Sequence, residues 1–204
     1  MRESIGSDGN QEPDLRVSRS TRFRSRLDHP IHLAHDGRQM LVLRLTQKLA
    51  ASLRVPLPKD TTPVANPCAD WCCHRFTANR SRYLLVTNAS TFYSVVLRAK
   101  GMGNESDFIT VVVSGLRGYL QAVGHELVFA RVIGPAAAEV RFSPVADRRI
   151  LGVMNEFIFM AEAYLDDLSP VDTSDRLNSC PVGPLKGKFP SDVFPPGLAP
   201  LDEI

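Results

Sequence analysis

A chain of 204 residues with 44% hydrophobic and 23% charged side chains has ordinary globular usage and fits one domain, or one domain with a tail. A formal charge of +2 is too small to imply a nucleic-acid or membrane partner by itself, and no apolar run approaches the ~18 residues that span a bilayer. Four cysteines in a chain of this length do not make a secreted disulfide framework, so reduced thiols in a cytoplasm are expected.

Residues 1–39 show no apolar periodicity. Such a segment cannot offset an ordering entropy of roughly 1–2 kcal/mol per residue, and a disordered arm is expected. Arg16, Arg19, Arg22, Arg24 and Arg26 form an acid-free basic stretch, and His29, His32 and His35 recur at every third position. The arm lacks the apolar segment of a secretory signal, and Glu3, Asp8, Glu12 and Asp14 speak against a transit peptide. Patterned sequence begins at Met40, which fits a start site there. The expected organisation is an arm over 1–39, one domain over 40–190 and a frayed tail over 191–204.

From Met40 onward, Leu41, Leu43 and Leu45 alternate with Val42 and Arg44, as in a strand with one face more buried. Thr46 is placed to cap a short helix carrying Leu49, Ala50 and Leu53, which Pro56 and Pro58 end. Residues 71–79 read as short and irregular. Residues 82–87 and 91–97 are rich in β-branched and aromatic side chains and predict a hairpin through Asn88-Ala89-Ser90.

Asn104 or Ser106 fits the cap of a helix whose apolar positions Phe108, Val112, Leu116, Tyr119, Leu120 and Val123 recur at spacings of three and four. Gly115 and Gly118 weaken that helix by about 1 kcal/mol each. Residues 127–133 predict another strand, and Val140 and Phe142 a short extended piece. Asp147 is placed to cap the clearest helix, with Ile150, Leu151, Met154, Phe157, Ile158, Ala161 and Leu165 on one stripe. The Pro- and Gly-rich remainder is expected to be extended.

The resulting expectation is an α+β fold with a small, mainly antiparallel sheet and helices on one face. Its order is ferredoxin-like (split βαβ), followed by a C-terminal helix and an extended tail.

Four stretches together carry a resemblance: Met40 through Leu49, Trp71 through Arg82, Leu84 through Ser94, and Arg148 through Phe157. They resemble a bacterial domain-of-unknown-function family, number 6933. Leu151-Gly152-Val153-Met154-Asn155 is the most specific piece. The resemblance implies a domain beginning near Met40 and no activity. Where relatives have Trp-His-Ala-Asn, this chain has Trp71-Cys72-Cys73-His74, and it has Val145-Ala146-Asp147 where relatives carry Thr-Asn-Asn.

Cys68, Cys72, Cys73 and His74 crowd together, with Cys180 remote, but the paired spacing of a zinc site occurs once rather than twice, and no metal is expected. Arg75, Arg80, Arg82, Arg98 and Lys100 interleave with Trp71, Phe76, Tyr83, Phe92 and Tyr93 without an acid, a pattern compatible with a single-strand or RNA-binding face. No RNP-type motif accompanies it, so nucleic acid is a weighed but not favoured partner. Arg148 and Arg149 open the last helix, where its dipole disfavours cations. They point either to an anion or to a salt bridge with Asp147. Asn155, on a mostly apolar stripe, is expected to tie the helix to a loop backbone rather than to touch a ligand.

No Gly-x-Ser-x-Gly, P-loop, dinucleotide fingerprint or His-Glu-x-x-His motif is present, and neither a catalytic set nor a cofactor is expected. The leading expectation is a small cytoplasmic binding or interaction domain of regulatory type. Its partner is unidentified, and a protein partner or a second copy of the chain is compatible with it. The alternative is an enzyme, or a binder of nucleic acid or a phosphorylated ligand. The candidate ligand-contacting residues are Trp71, His74, Arg80, Arg82, Arg148 and Asn155.

Overall fold

The computed structural model describes residues 40–195; the expectations for 1–39, its basic stretch and its histidines included, and those for 196–204 fall outside the described residues. The chain opens with strand β1 (Leu41–Leu45) and helix α1 (Gln47–Leu53). After a proline-rich connection, a 3-10 turn (Pro67–Ala69) leads into β2 (Asp70–Ala78), followed by β3 (Ser81–Asn88) and β4 (Ser94–Arg98). Helix α2 (Glu105–Ala122) comes next, then three helical pieces that run on from one another: α3 (Glu126–Val128), a π-helical turn (Phe129–Ile133) and α4 (Gly134–Ala136). Strand β5 (Val140–Pro144) precedes α5 (Arg148–Tyr164), α6 (Pro170–Asn178), a 3-10 turn (Gly183–Leu185) and α7 (Pro190–Val193).

The strands form one sheet in the order β4-β3-β2-β1-β5. β1 lies between two parallel neighbours, β2 and β5, while β2–β3 and β3–β4 are antiparallel. The α+β class therefore holds, but the sheet is mixed rather than mainly antiparallel, and its order is not ferredoxin-like. The main departure lies at Trp71–Ala78. Far from irregular, it is the strand that links the parallel and antiparallel halves.

Helices also cover both faces rather than one. Leu41, Leu43, Leu45, Trp71, Cys73, Leu84, Val86, Val95 and Leu97 face a core shared with α1, α2 and the α3–α4 segment. Cys72, Phe76, Tyr83, Leu85 and Val96 face a second core shared with α5 and α6. Burial on both sides is why Leu41-Val42-Leu43 and Leu84-Leu85-Val86 are continuous apolar runs.

Residues 127–133 are helical because their buried positions recur one turn apart. Val128, Val132 and Ala136 point inward together, and that tertiary demand outweighs the β-branched preference. The expected extended tail contains α6, whose start is written as Ser169-Pro170-Val171-Asp172. The Ser169 hydroxyl accepts from the Asp172 amide, and proline sits in the first turn where its missing N–H costs nothing.

Helix α6 runs beside the outer edge of β4 and occupies the hydrogen-bonding positions a further strand would take. Asn178 Oδ1 accepts from the Ser94 amide at 2.7 Å, its Nδ2 donates to the Ser94 carbonyl at 2.9 Å, and Ser174 Oγ accepts from the Val96 amide at 2.8 Å. Side chains thus satisfy an edge that would otherwise be open for pairing. At the C-terminal end Phe194 is buried, stacked on Tyr93 with ring centres 4.1 Å apart and edge-on to Trp71 at 5.9 Å.

Candidate functional site

Strand β1 ends at Leu45, opposite Cys73, but β2 continues to Ala78. The last bond between them runs from the Thr46 amide to the Cys73 carbonyl, 3.2 Å, after which the chain turns away into α1. Beyond that point the edge of β2 has no neighbouring strand among the described residues, and a cavity of about 440 Å³ opens against it. Its walls are Lys48 from α1, His74 to Thr77 of β2, Arg82 of β3, and Asn155, Ile158 and Glu162 from α5. The helices flank the open edge from the two sides of the sheet.

The lining is cationic. Lys48, Arg75 and Arg82 face a single carboxylate, that of Glu162. Among the described residues none of these four takes part in an ion pair; the pairs present are Arg44–Asp70, Arg141–Glu139 and Arg149–Asp147. Burial, then the nearby Lys48 charge, holds the His74 imidazole below its ordinary value, so the ring is neutral near pH 7. Its Nδ1 is buried and has no hydrogen-bond partner.

Of the six residues singled out from the sequence, His74, Arg82 and Asn155 meet in this cavity. Asn155 is exposed rather than buried, so it does not tie the helix to a loop as expected. Trp71 is fully buried in the core, its Nε1 donating to the Cys68 carbonyl at 2.8 Å, and it reaches no ligand surface. Arg80 sits in the tight β2–β3 turn, where it and Asn79 both adopt positive φ, 59° and 48°. These are the dihedrals of a type I′ hairpin, and Arg80 is there as a turn residue. Arg148 lies exposed at the start of α5, away from the cavity. The expected convergence of Arg80, Arg148 and Asn155 with Trp71 does not occur.

Sequence reasoning did not assign Lys48 or Glu162 to a site. Their signal is a register effect: each lies on the polar side of an amphipathic helix, at the turn that passes the end of β1.

Other polar clusters have structural roles. Arg44 makes a bidentate pair with Asp70, at 2.7 and 3.1 Å, and also donates to Ser143 Oγ and the Thr62 carbonyl. It joins β1, β2, β5 and the proline-rich connection. Asn88, in the family-like Thr-Asn segment, donates to the carbonyls of Pro67 and Asp70 while its Oδ1 accepts from Ser90 and Thr91. Asp147 caps α5 and pairs with Arg149 at 2.8 Å, and the hydrogen bond from Arg149 keeps its carboxyl below the usual range.

Alternation along β2 sends Cys72 and His74 to one face and Cys73 to the other, so these three cannot ligate one ion. Among the described residues no trio of His, Cys, Asp or Glu is arranged to hold a metal. Trp71, Phe76, Tyr83, Phe92 and Tyr93 are all 7% exposed or less, so none presents a ring face for a base to stack on. No helix among the described residues is long and apolar enough to cross a membrane.

Neither the curated proteins nor the solved structures contain a match to this chain. The model of one family does match, over residues 42–193, reaching from β1 to the end of α7. On that match the chain belongs to the family described as domain of unknown function DUF6933.

Proposed function

We propose that this domain is a binding module whose ligand is anionic and enters the cavity at the open edge of β2. The observation that carries the reading is the charge imbalance of the lining: Lys48, Arg75 and Arg82, none of them ion-paired among the described residues, against Glu162 alone. Cationic side chains that are left unpaired around a concavity raise the local concentration of anions and hold them by charge-assisted hydrogen bonds. Neutral His74 and Asn155 add hydrogen-bonding groups at the same place. In this reading the module works in a reducing cytoplasm, in keeping with free thiols at Cys72, Cys73 and Cys180.

Titration of the full chain with tripolyphosphate, followed by amide chemical shifts, tests the reading. Shifts are expected at Lys48, His74, Arg75 and Arg82, with affinity that falls as salt rises. Arg75→Ala and Lys48→Ala each weaken binding by about five- to tenfold, the value of one charge-assisted contact. Shifts confined to residues elsewhere, or none at millimolar ligand, overturn it.

A further inference from the structure

The open edge of β2 is more than a wall of the cavity. In a strand the amide and carbonyl of one residue point to the same side, and successive residues alternate. The Cys73 carbonyl bonds the Thr46 amide on the β1 side. The backbone groups of Arg75 and Thr77 therefore point the same way, into the space beyond the end of β1. Those of His74 and Phe76 point to β3, opposite Leu85 and Tyr83. Among the described residues this edge is left unblocked, while Asn178 and Ser174 seal the edge of β4. Open edges template pairing with another chain, and folded proteins usually cover or charge them.

We infer that the ligand is an extended acidic peptide that adds to the sheet as a strand beside Arg75–Thr77, in line with β1. This rests on the anionic-ligand reading above and names its chemical class. A strand placed there has α1 on one side and α5 on the other. Its alternate side chains face Lys48 and Arg75 on the α1 side, and His74, Asn155 and Ile158 on the α5 side. Backbone bonds to Arg75 and Thr77 supply affinity, and the cations select carboxylates at every second position. The fitting sequence therefore alternates acidic with small or apolar residues. A free phosphate compound satisfies the cations but leaves the Arg75 and Thr77 backbone groups to water.

The test uses the full chain and three probes: an acetylated, amidated hexapeptide of alternating valine and glutamate, the same peptide N-methylated on alternate residues, and tripolyphosphate. N-methylation removes strand donors and keeps every charge. The unmodified peptide is expected to bind, to slow hydrogen exchange at the Arg75 and Thr77 amides, and to outbind the methylated form by tenfold or more. Thr77→Pro removes the outward-facing donor without changing charge, and is expected to weaken the peptide by a larger factor than it weakens tripolyphosphate. Equal binding of the two peptides overturns strand addition and leaves the anionic-ligand reading standing. So does binding of tripolyphosphate without the peptide. If no probe binds, both proposals fall.

Discussion

Replacement of Asn178 by alanine separates edge-sealing from ordinary surface polarity. Asn178 is 2% exposed, and Ser94, whose amide and carbonyl it satisfies, is fully buried. Alanine has neither donor nor acceptor, and the packed wall of α6 keeps water from the Ser94 groups. Each buried backbone group left without a partner costs about 1–3 kcal/mol, so the variant should lose about 2–6 kcal/mol. The Tyr119 hydroxyl, which also receives a bond from Asn178, keeps its bond to Asp175 at 2.6 Å and adds little to the loss. Ser174→Ala removes one acceptor, that of the Val96 amide, and should cost less, about 1–3 kcal/mol. Urea unfolding monitored by circular dichroism reads both as shifts in midpoint at constant slope. Hydrogen exchange should show the Ser94 amide losing protection in the Asn178 variant. A loss below about 1 kcal/mol, or one no larger than that of Ser174→Ala, would refute the idea that α6 stands in for a missing strand.

The two glycines of α2 should respond in opposite ways to alanine. Gly118 has open space where a Cβ would go, so G118A should stabilise by up to about 1 kcal/mol, whereas at Gly115 the new Cβ would lie 2.5 Å from Leu97 Cδ1 and the gain should be lost in moving that side chain. Thermal melts of both variants check this. His74 and His125 are held below the ordinary imidazole value of 6.5 by burial, so the unfolded chain binds protons more readily than the folded one. Stability should therefore fall as pH drops below 6.5, and urea midpoints at pH 7.5 and 5.5 should show a smaller drop in His125→Gln. Burial raises the thiols of Cys72 and Cys73 and lifts that of Cys68 to about 11, while Cys180 is partly exposed. An aromatic disulfide reagent should react quickly with Cys180 in the native protein and with Cys72 and Cys73 only on unfolding.

Much of the architecture is legible where local and tertiary preferences agree. Asn104 and Asp147 accept from the amides of Asp107 and Arg149, and the apolar stripes behind them do pack inward. Thr46 stands at the start of α1 as expected, although its hydroxyl makes no cap bond and is buried without a partner. β2 escaped notice because its residues carry no alternation of apolar with polar. Both faces of Trp71-Cys72-Cys73 are buried, and thiols serve as small apolar groups there. The segment from Leu127 to Ile133 misleads because aromatic and β-branched side chains suit a strand or a buried helix alike. α6 was signalled by Ser169-Pro170-Val171-Asp172, a start that the surrounding prolines masked.

The candidate site was half legible. Arg75 and Arg82 were identifiable as basic residues in an acid-free stretch, but their convergence with Lys48 and Glu162 depends on β1 ending four residues into β2. Strand length is set by where the chain turns, which composition alone does not encode. Trp71 drew attention as an aromatic residue interleaved with basic ones and proved to be fully buried in the core.

The placement of Phe194 against Trp71 and Tyr93 bears on how the protein is made. An aromatic side chain supplied by the final stretch of the described chain completes the packing around strands synthesised much earlier. While the ribosome is still extending the polypeptide, those rings lack their last neighbour, and β1 also waits for β5. Closure of the interior thus waits until Phe194 has been made, and a chain cut only slightly upstream of it should yield a product that quality-control proteases remove.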